Sequence, residues 1–268
     1  DVLDGWFESD PIKAAYGFDS VVGHYASPDS PGSAYVLLHH CFGGVNGKKG
    51  IWGHAVGGMG AITLAMARAC EQLGVKFVLD SAVAQVKVAN GRASGVLLAD
   101  GREVDADVVV SNLNPRLLFD KLVPASELTR GFRTAMQRHR SDSGTLRMNV
   151  ALSELPDFTC LPGRSIAEHH ASGIVFAPSL DYMDRAFHAA RKDGWSREPI
   201  VEMLIPSCVD DSLAPAGAHV ASLFCQQFAY DLPSGRSWDD ERESAADAVI
   251  DTVTRYAPNF KRSVIARS

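Results

Sequence analysis

Apolar positions recur along this chain with two different periods, and the switches between them outline its elements. Ile62, Met66, Ala69 and Leu73 fall at i, i+4, i+7 and i+11, the stripe of an amphipathic helix, and Gly74 follows as its stop. The run "VKFVLD" after it predicts a strand. Three further β-rich runs, "VAQVKV", "ASGVLLA" and "EVDADVVVS", are separated by Asn90-Gly91 and Asp100-Gly101, residue pairs that favour tight hairpins. Together they predict a three-stranded antiparallel meander from Val83 to Val110 with type I′ turns at both pairs.

Upstream, Asp10 as N-cap and Pro11 at the first helical position predict a short helix through Ile12, Ala15 and Tyr16. The stretch from Ala26 to Gly50 is rich in Gly, Pro and Ser and reads as irregular connection around one short ordered segment, "AYVLLHHCF". Downstream, Ser126 reads as the cap of a helix carrying Leu128, Phe132 and Met136. Leu146, Met148, Val150 and Leu152 then alternate with Arg147, Asn149 and Ala151, as a half-buried strand requires. Strands are expected at "GIVFAP", "PIVEMLIP", "HVASLFCQQF" and the closing "SVIARS". Helices are expected after Ser179 and after Ser237, whose spacing to Asp240 is that of a capping box. Strands and helices mix without a βαβ beat, so the fold class is α+β with an antiparallel or mixed sheet.

Composition narrows the function classes. The chain has 268 residues, with 26 basic against 32 acidic side chains and a formal charge of -6, so it carries no electrostatic footprint for nucleic acid. A small-molecule partner is expected instead. Five widely spaced cysteines without a C-x-x-C pair read as reduced, mostly buried thiols. No apolar run reaches the roughly 18 residues of a transmembrane segment, and no signal peptide opens the chain, so it reads as soluble and cytoplasmic. It begins without methionine and ends as a strand starts, which suggests a piece of something longer.

The glycines before the first long helix pose the main chemical question. "WGHAVGGMGAITLAMARACEQLGVKFVLD" has the parts of a dinucleotide site: a glycine turn, a helix start, and an acid, Asp80, about 20 residues on. The fit is poor. The preceding "KGIWGHAV" is barely apolar, Thr63 stands where a third Gly or Ala belongs, and hairpins follow Asp80 where a parallel strand should. Close packing at a helix start explains the glycines better. The adjacent pairs His39-His40 and His169-His170 would splay to opposite faces of an extended chain, so no metal site is expected. No G-x-S-x-G elbow is present. Arg147 and Asn149, on the polar side of their strand, face either a ligand or water, and water is the favoured reading.

The order of segments adds to these readings. "DGWFESDPIKA", "PGSAYVLLHHCFGG", "WGHAVGGMGA", "GRASGVLLADGREVDADVVVSNLNP", "DDSLAPAGAHVASLFCQ" and "YAPNF" together resemble the interior of the phytoene dehydrogenase-like FAD-dependent oxidoreductases. In that family the FAD domain is discontinuous and a substrate domain interrupts it. The resemblance implies that residues 56-115, the helix and the meander, belong to the FAD domain, and that 1-55 and 116-268 are two parts of the substrate domain. It implies that Gly57, Gly58 and Met59 form the turn near the flavin, and that the Val83 backbone meets the adenine. The family's strand-GxGxxG-helix and its carboxyl-terminal glycine-rich segment are not in this sequence. FAD is thus the cofactor implied for the complete protein, and this chain alone is expected to lack it.

By this resemblance the chain is the central substrate-binding portion of an enzyme that oxidises or desaturates an apolar or amphipathic substrate by hydride transfer to flavin. The relatives also leave a mitochondrial location open. The rival reading is a non-enzymatic binding or scaffolding module that keeps the fold, and a free-standing NAD-dependent dehydrogenase is disfavoured by the missing fingerprint. The helix stripe at Ile62, Met66 and Leu73 and the apolar "DVVVS" are expected to be exposed and to drive homodimer formation.

Overall fold

The computed structural model describes residues 2-40, 42-49 and 53-268. It divides into two compact units, Asp1–Met66 with Ser143–Ser268, and Ala67–Asp142.

The larger unit is built on a five-stranded antiparallel sheet. Its strands are β6 (Thr145–Leu152), β7 (Ile174–Phe176), β8 (Trp195–Leu204), β9 (His219–Phe228) and β10 (Val264–Arg267), in the order β10-β6-β9-β8-β7. Alternation along the strands separates two faces. On one face Met148, Val150 and Leu152 of β6, Ala221, Leu223 and Cys225 of β9, and Val201 and Met203 of β8 are buried. Helix α7 (Trp238–Thr254) and Phe260 of the short α8 (Phe260–Ser263) join that core through Ala245, Val249, Ile250 and Val253. Each Val, Leu, Ile, Met or Phe side chain among them contributes about 1.5 to 3 kcal/mol by leaving water.

The other face is covered at one end only. Ile200, with Val175 beside it, packs into a second cluster with Ala14 and Phe18 of α1 (Asp10–Phe18) and Tyr182, Met183 and Ala186 of α6 (Leu180–Asp193). The Ser179 and Ser237 hydroxyls cap α6 and α7 by accepting from the Tyr182 and Asp239 amides, as the sequence predicts. α1 starts where expected, but its N-cap position is held by Ser9.

The ordered segment between Ala26 and Gly50 is helix α2 (Ser33–His40), followed by a minimal hairpin, β1 (Gly44–Val45) with β2 (Lys48–Lys49). That hairpin turns at Asn46 and Gly47, both at positive φ (51° and 76°), and the Asn-Gly pair in "VNGKKG" was its signal. Helix α3 (Met59–Gln72) also takes its predicted place, and the turn that stops it carries Gly74 at φ 83°.

The smaller unit carries the meander: β3 (Val83–Ala89), β4 (Arg92–Leu98) and β5 (Glu103–Asp105), antiparallel in that order. Asn90 and Gly91, at φ 52° and 73°, make the type I′ turn. The second connection differs from expectation. Only Gly101 (φ 87°) is left-handed, and a three-residue loop closes with the Leu98 amide donating to the Arg102 carbonyl at 2.8 Å. A short helical turn, α4 (Pro115–Leu117), and α5 (Arg130–Arg138) follow. The α5 cap is Thr129, whose hydroxyl accepts from the Phe132 amide, and not Ser126, which sits in a separate turn.

Two expected strands are corrected. Residues 75-80 are not a strand, and the third meander strand stops at Asp105 rather than Ser111. A strand exists only against a neighbour, and by the β4–β5 register Arg92, the first residue of β4, lies opposite position 108, which leaves residues 109-111 nothing in β4 to pair with. Both segments are apolar and exposed, Val78, Leu79, Val108 and Val110 included.

Candidate functional site

The glycine turn is built from two consecutive left-handed residues, Gly57 (φ 84°) and Gly58 (φ 79°), which turn the chain into α3 at Met59. The Gly58 amide donates to the Ala55 carbonyl at 2.9 Å. A Cβ on Gly58 would stand 3.3 Å from the Leu213 side chain, so the turn is close-packed on the connection between β8 and β9. That connection also supplies its anchor. The Gly57 amide donates to Asp210 Oδ2 at 2.6 Å, and Asp210 Oδ1 accepts from the Ser212 hydroxyl at 2.6 Å and the Ser212 amide at 3.0 Å.

These bonds, the Ser212 hydroxyl first and the Gly57 amide next, hold the Asp210 carboxyl below the usual aspartate range. The amide that an incoming phosphate would use is therefore already bound to a carboxylate of this chain. The turn is packed on the β8–β9 connection, and its Gly57 amide is taken by Asp210.

A pH dependence follows. Because the folded value is depressed, the contribution of Asp210 is complete above about pH 4, the unfolded aspartate value, and is lost as pH falls through the folded one. Hydrogen exchange at the Gly57 amide is expected to stay protected at neutral pH and to lose protection only in acid. Asp210→Ala should remove the protection at every pH, and unchanged protection in that variant would refute the anchor.

Of the sequence-predicted site residues, Gly57, Gly58 and Met59 stand together at the start of α3, with Met59 exposed. Val83 opens β3 opposite Leu98 in the smaller unit. Asp80, the rejected ribose acid, sits in a bend at φ 52°. Sequence reasoning missed Asp210 and Ser212. Their only local signal is the Asp-x-Ser spacing of a side-chain turn in "DDSLAP". Arg147 and Asn149 are exposed on the sheet face away from α7.

The histidine argument needs correction. His39 and His40 end a helix, and His169 and His170 lie in a 3-10 turn with ring centroids 4.0 Å apart, because helical turns bring neighbours together that an extended chain would splay. His170 is buried, with Nε2 3.0 Å from the Pro156 carbonyl oxygen. Among the described residues no three His, Cys, Asp or Glu side chains are placed to hold a metal ion. Cys41 lies outside the described residues. Of the other thiols Cys225 is buried, which pushes its pKa up, while Cys160 is exposed. The expectation of mostly buried thiols thus fails among the described residues, because Cys70 and Cys208 are only partly buried and Cys160 falls in a surface turn.

A recess of about 940 Å³ lies where α6 meets β8, but its Glu241 is already paired with Arg236 and the Trp195 indole. Among the described residues no helix is long and apolar enough to cross a membrane.

Comparison with known proteins gives this geometry its class. The family described as flavin containing amine oxidoreductase matches residues 15-145, a stretch that includes the glycine turn and the meander. By these matches the chain is similar to the phytoene dehydrogenase-like FAD-dependent oxidoreductases. Among its relatives, pyridine nucleotide-disulfide oxidoreductase domain-containing protein 2 of Rattus norvegicus is 39% identical over 99% of this chain and 47% of its own length. The lycopene-forming phytoene desaturase of Pseudescherichia vulneris is 26% identical over 98% of this chain and 50% of its own. An oxidoreductase structure from Methanosarcina mazei shares the fold, with a TM-score of 0.64 at 17% identity over 97% of this chain and 56% of that one. The chain spans about half the length of the curated relatives it matches.

Proposed function

We propose that the chain is the central, substrate-binding portion of an FAD-dependent oxidoreductase that oxidises or desaturates an apolar or amphipathic substrate by hydride transfer to flavin. The observation that carries this reading is the family match over residues 15-145, which takes in the glycine turn and the meander together. On this reading the Gly57-Gly58-Met59 turn lies beside the flavin and the Val83 backbone beside the adenine. Residues 56-115 then contribute to the FAD domain, and 1-55 and 116-268 form the substrate domain. Flavin, when bound, supplies the hydride acceptor. The residues of this chain orient the substrate and exclude water, and no catalytic acid or base is asked of them.

Pyrophosphate binding is not among their tasks, since the Gly57 amide is held by Asp210. The purified 268-residue chain is accordingly expected to carry no stoichiometric FAD after gel filtration, whereas protein from the complete reading frame should show the visible absorbance of oxidised flavin. One flavin per 268-residue chain would overturn the first expectation. Colourless full-length protein in the presence of added FAD would favour the non-enzymatic binding or scaffolding module instead.

The same reading bears on association. Met66 of α3 and Leu73, just past its end, are 63% and 83% exposed, and Val108 and Val110 are exposed as well. Apolar surface of this kind favours pairing at about 25 cal/mol per Å² covered, and a twofold interface lets a patch cover its own copy. Light scattering is expected to show a dimer at high concentration. A 28.8 kDa species at all concentrations would remove the proposal.

A further inference from the structure

The sheet face away from α7 is unusual in what it leaves unpaired. Register places Arg147 of β6, Phe224 of β9 and Glu202 of β8 in one row across three strands. The neighbouring rows are Thr145-Gln226-Ile200 on one side and Asn149-Ser222-Leu204 on the other. The Arg147 guanidinium lies over the Phe224 ring, 5.6 Å from its centroid, and among the described residues it makes no ion pair or hydrogen bond. Glu202 is half-buried and, among the described residues, is likewise without an ion pair or hydrogen bond.

Among the described residues two buried polar atoms on the same face also lack partners. Gln226 is fully buried; its Oε1 accepts from the Thr145 hydroxyl at 3.3 Å, while its Nε2 has no acceptor. The Ser222 hydroxyl, two residues along the same strand, has no partner either. A buried polar group without a partner is costly, so two on one strand face, flanking Phe224, call for an explanation.

We propose that this face binds the carboxylate head of an amphipathic substrate, with Arg147, Gln226 Nε2 and Ser222 Oγ as donors above and beside the Phe224 ring. The donors decide the sign of the ligand: each offers N–H or O–H, and a guanidinium matches a carboxylate with paired bonds. Burial raises the Glu202 carboxyl, the Asp19 carboxylate raises it further, and Arg147 and His40 only partly offset this. An arriving carboxylate therefore meets an acid closer to its neutral form than a surface glutamate is.

The apolar part of the ligand has a direction. The Ser222 row ends at Leu204, and beyond it the same face continues with Val220, both half-buried, toward the β8–β9 connection whose Asp210 and Leu213 hold the glycine turn. A tail running that way leads from the polar rows to the turn that the proposed function sets beside flavin, on which reading this assignment of substrate class rests.

Three probes with one tail and different heads test it: decanoate, decanol and decylamine, titrated into the purified chain by calorimetry. Decanoate is expected to bind at least about tenfold tighter than decanol, the equivalent of one charge-assisted hydrogen bond. Arg147→Met should bring decanoate within about twofold of decanol without weakening decanol, and Arg147→Lys should fall between, since a point charge replaces a fork. Arg147 is exposed, so the fold is expected to survive both changes, and Ser222→Ala offers a second variant that lowers the decanoate preference alone.

Equal binding of all three probes, tighter binding of decylamine through Glu202 and Asp19, binding of none, or an Arg147→Met protein that keeps its preference would each overturn the proposal. No probe is a flavin ligand. A carboxylate preference in a protein whose complete reading frame yields no flavin would sink the proposed function and leave this site standing, and the reverse result would do the opposite.

Discussion

Gly95→Val is expected to destabilise the meander by about 3 kcal/mol or more, since left-handed strain and overpacking each cost about 1 to 3 kcal/mol and act here together. Gly95 sits in β4 at φ 148°, where the register against β3 shifts between the Lys87 and Val88 pairs. A Cβ placed there would stand 2.2 Å from the Val104 carbonyl oxygen and 2.9 Å from the Asp105 Cα. Both atoms belong to the backbone of β5, so no side-chain rotation relieves the clash. Val86 and Leu98 are the buried apolar side chains of the three strands, a small reserve against such a penalty.

Hydrogen exchange is the measurement, because it reads the two units separately. Amides of β3 and β4 should lose protection in the variant while those of β9 keep theirs. Gly101→Val is the control. Its φ of 87° carries strain, but nothing lies within 4 Å of the added Cβ, so about 1 kcal/mol is expected. Equal costs at the two glycines would show that crowding by β5 is not what Gly95 relieves.

Leu223→Ala is expected to cost about 3 to 4 kcal/mol, within the range for emptying a buried leucine site. Leu223 is fully buried on the central strand, between Met148 and Met203, and belongs to the core that Val249 and Val253 of α7 complete. Phe224→Ala, one residue on, removes a larger side chain from the other face and should cost about 1 kcal/mol, since that ring is only half-buried. Urea unfolding of the two variants checks the register directly, because a shift of one residue would exchange the two faces and reverse the order. If Phe224→Ala proves the more damaging, the open face is not open, and the ligand site assigned to it fails as well.

Local pattern was enough for many of the elements. The 3.6 period from Ile62 to Leu73, the Asn90-Gly91 pair, the alternation from Leu146 to Leu152 and the Ser179 and Ser237 caps each express a constraint contained within a few residues. The failures share a cause. "VKFVLD" has the composition of a strand but no partner among the described residues, and Thr129 displaced Ser126 because the chain at Leu128 is extended (φ -110°, ψ 134°) rather than helical. His169 and His170 came together because their backbone turns.

The candidate site divides in the same way. Gly57 and Gly58 were legible as a turn at a helix start, since two consecutive glycines before a helical stripe point to left-handed backbone, and the segment order identified their family. What the turn does with its amides was not legible. Asp210 lies 153 positions away in sequence, and only the fold brings its carboxylate to the Gly57 amide and packs the turn on the β8–β9 connection. Arg147 and Asn149 likewise read as polar positions facing water. That Gln226 Nε2 and Ser222 Oγ stand on the same face without partners depends on which strands lie side by side, in the order β10-β6-β9-β8-β7. The sequence by itself determined periods, caps and turns because those energies are local; pairing, burial and the convergence of distant polar groups were decided by tertiary structure, because each is a property of two segments at once.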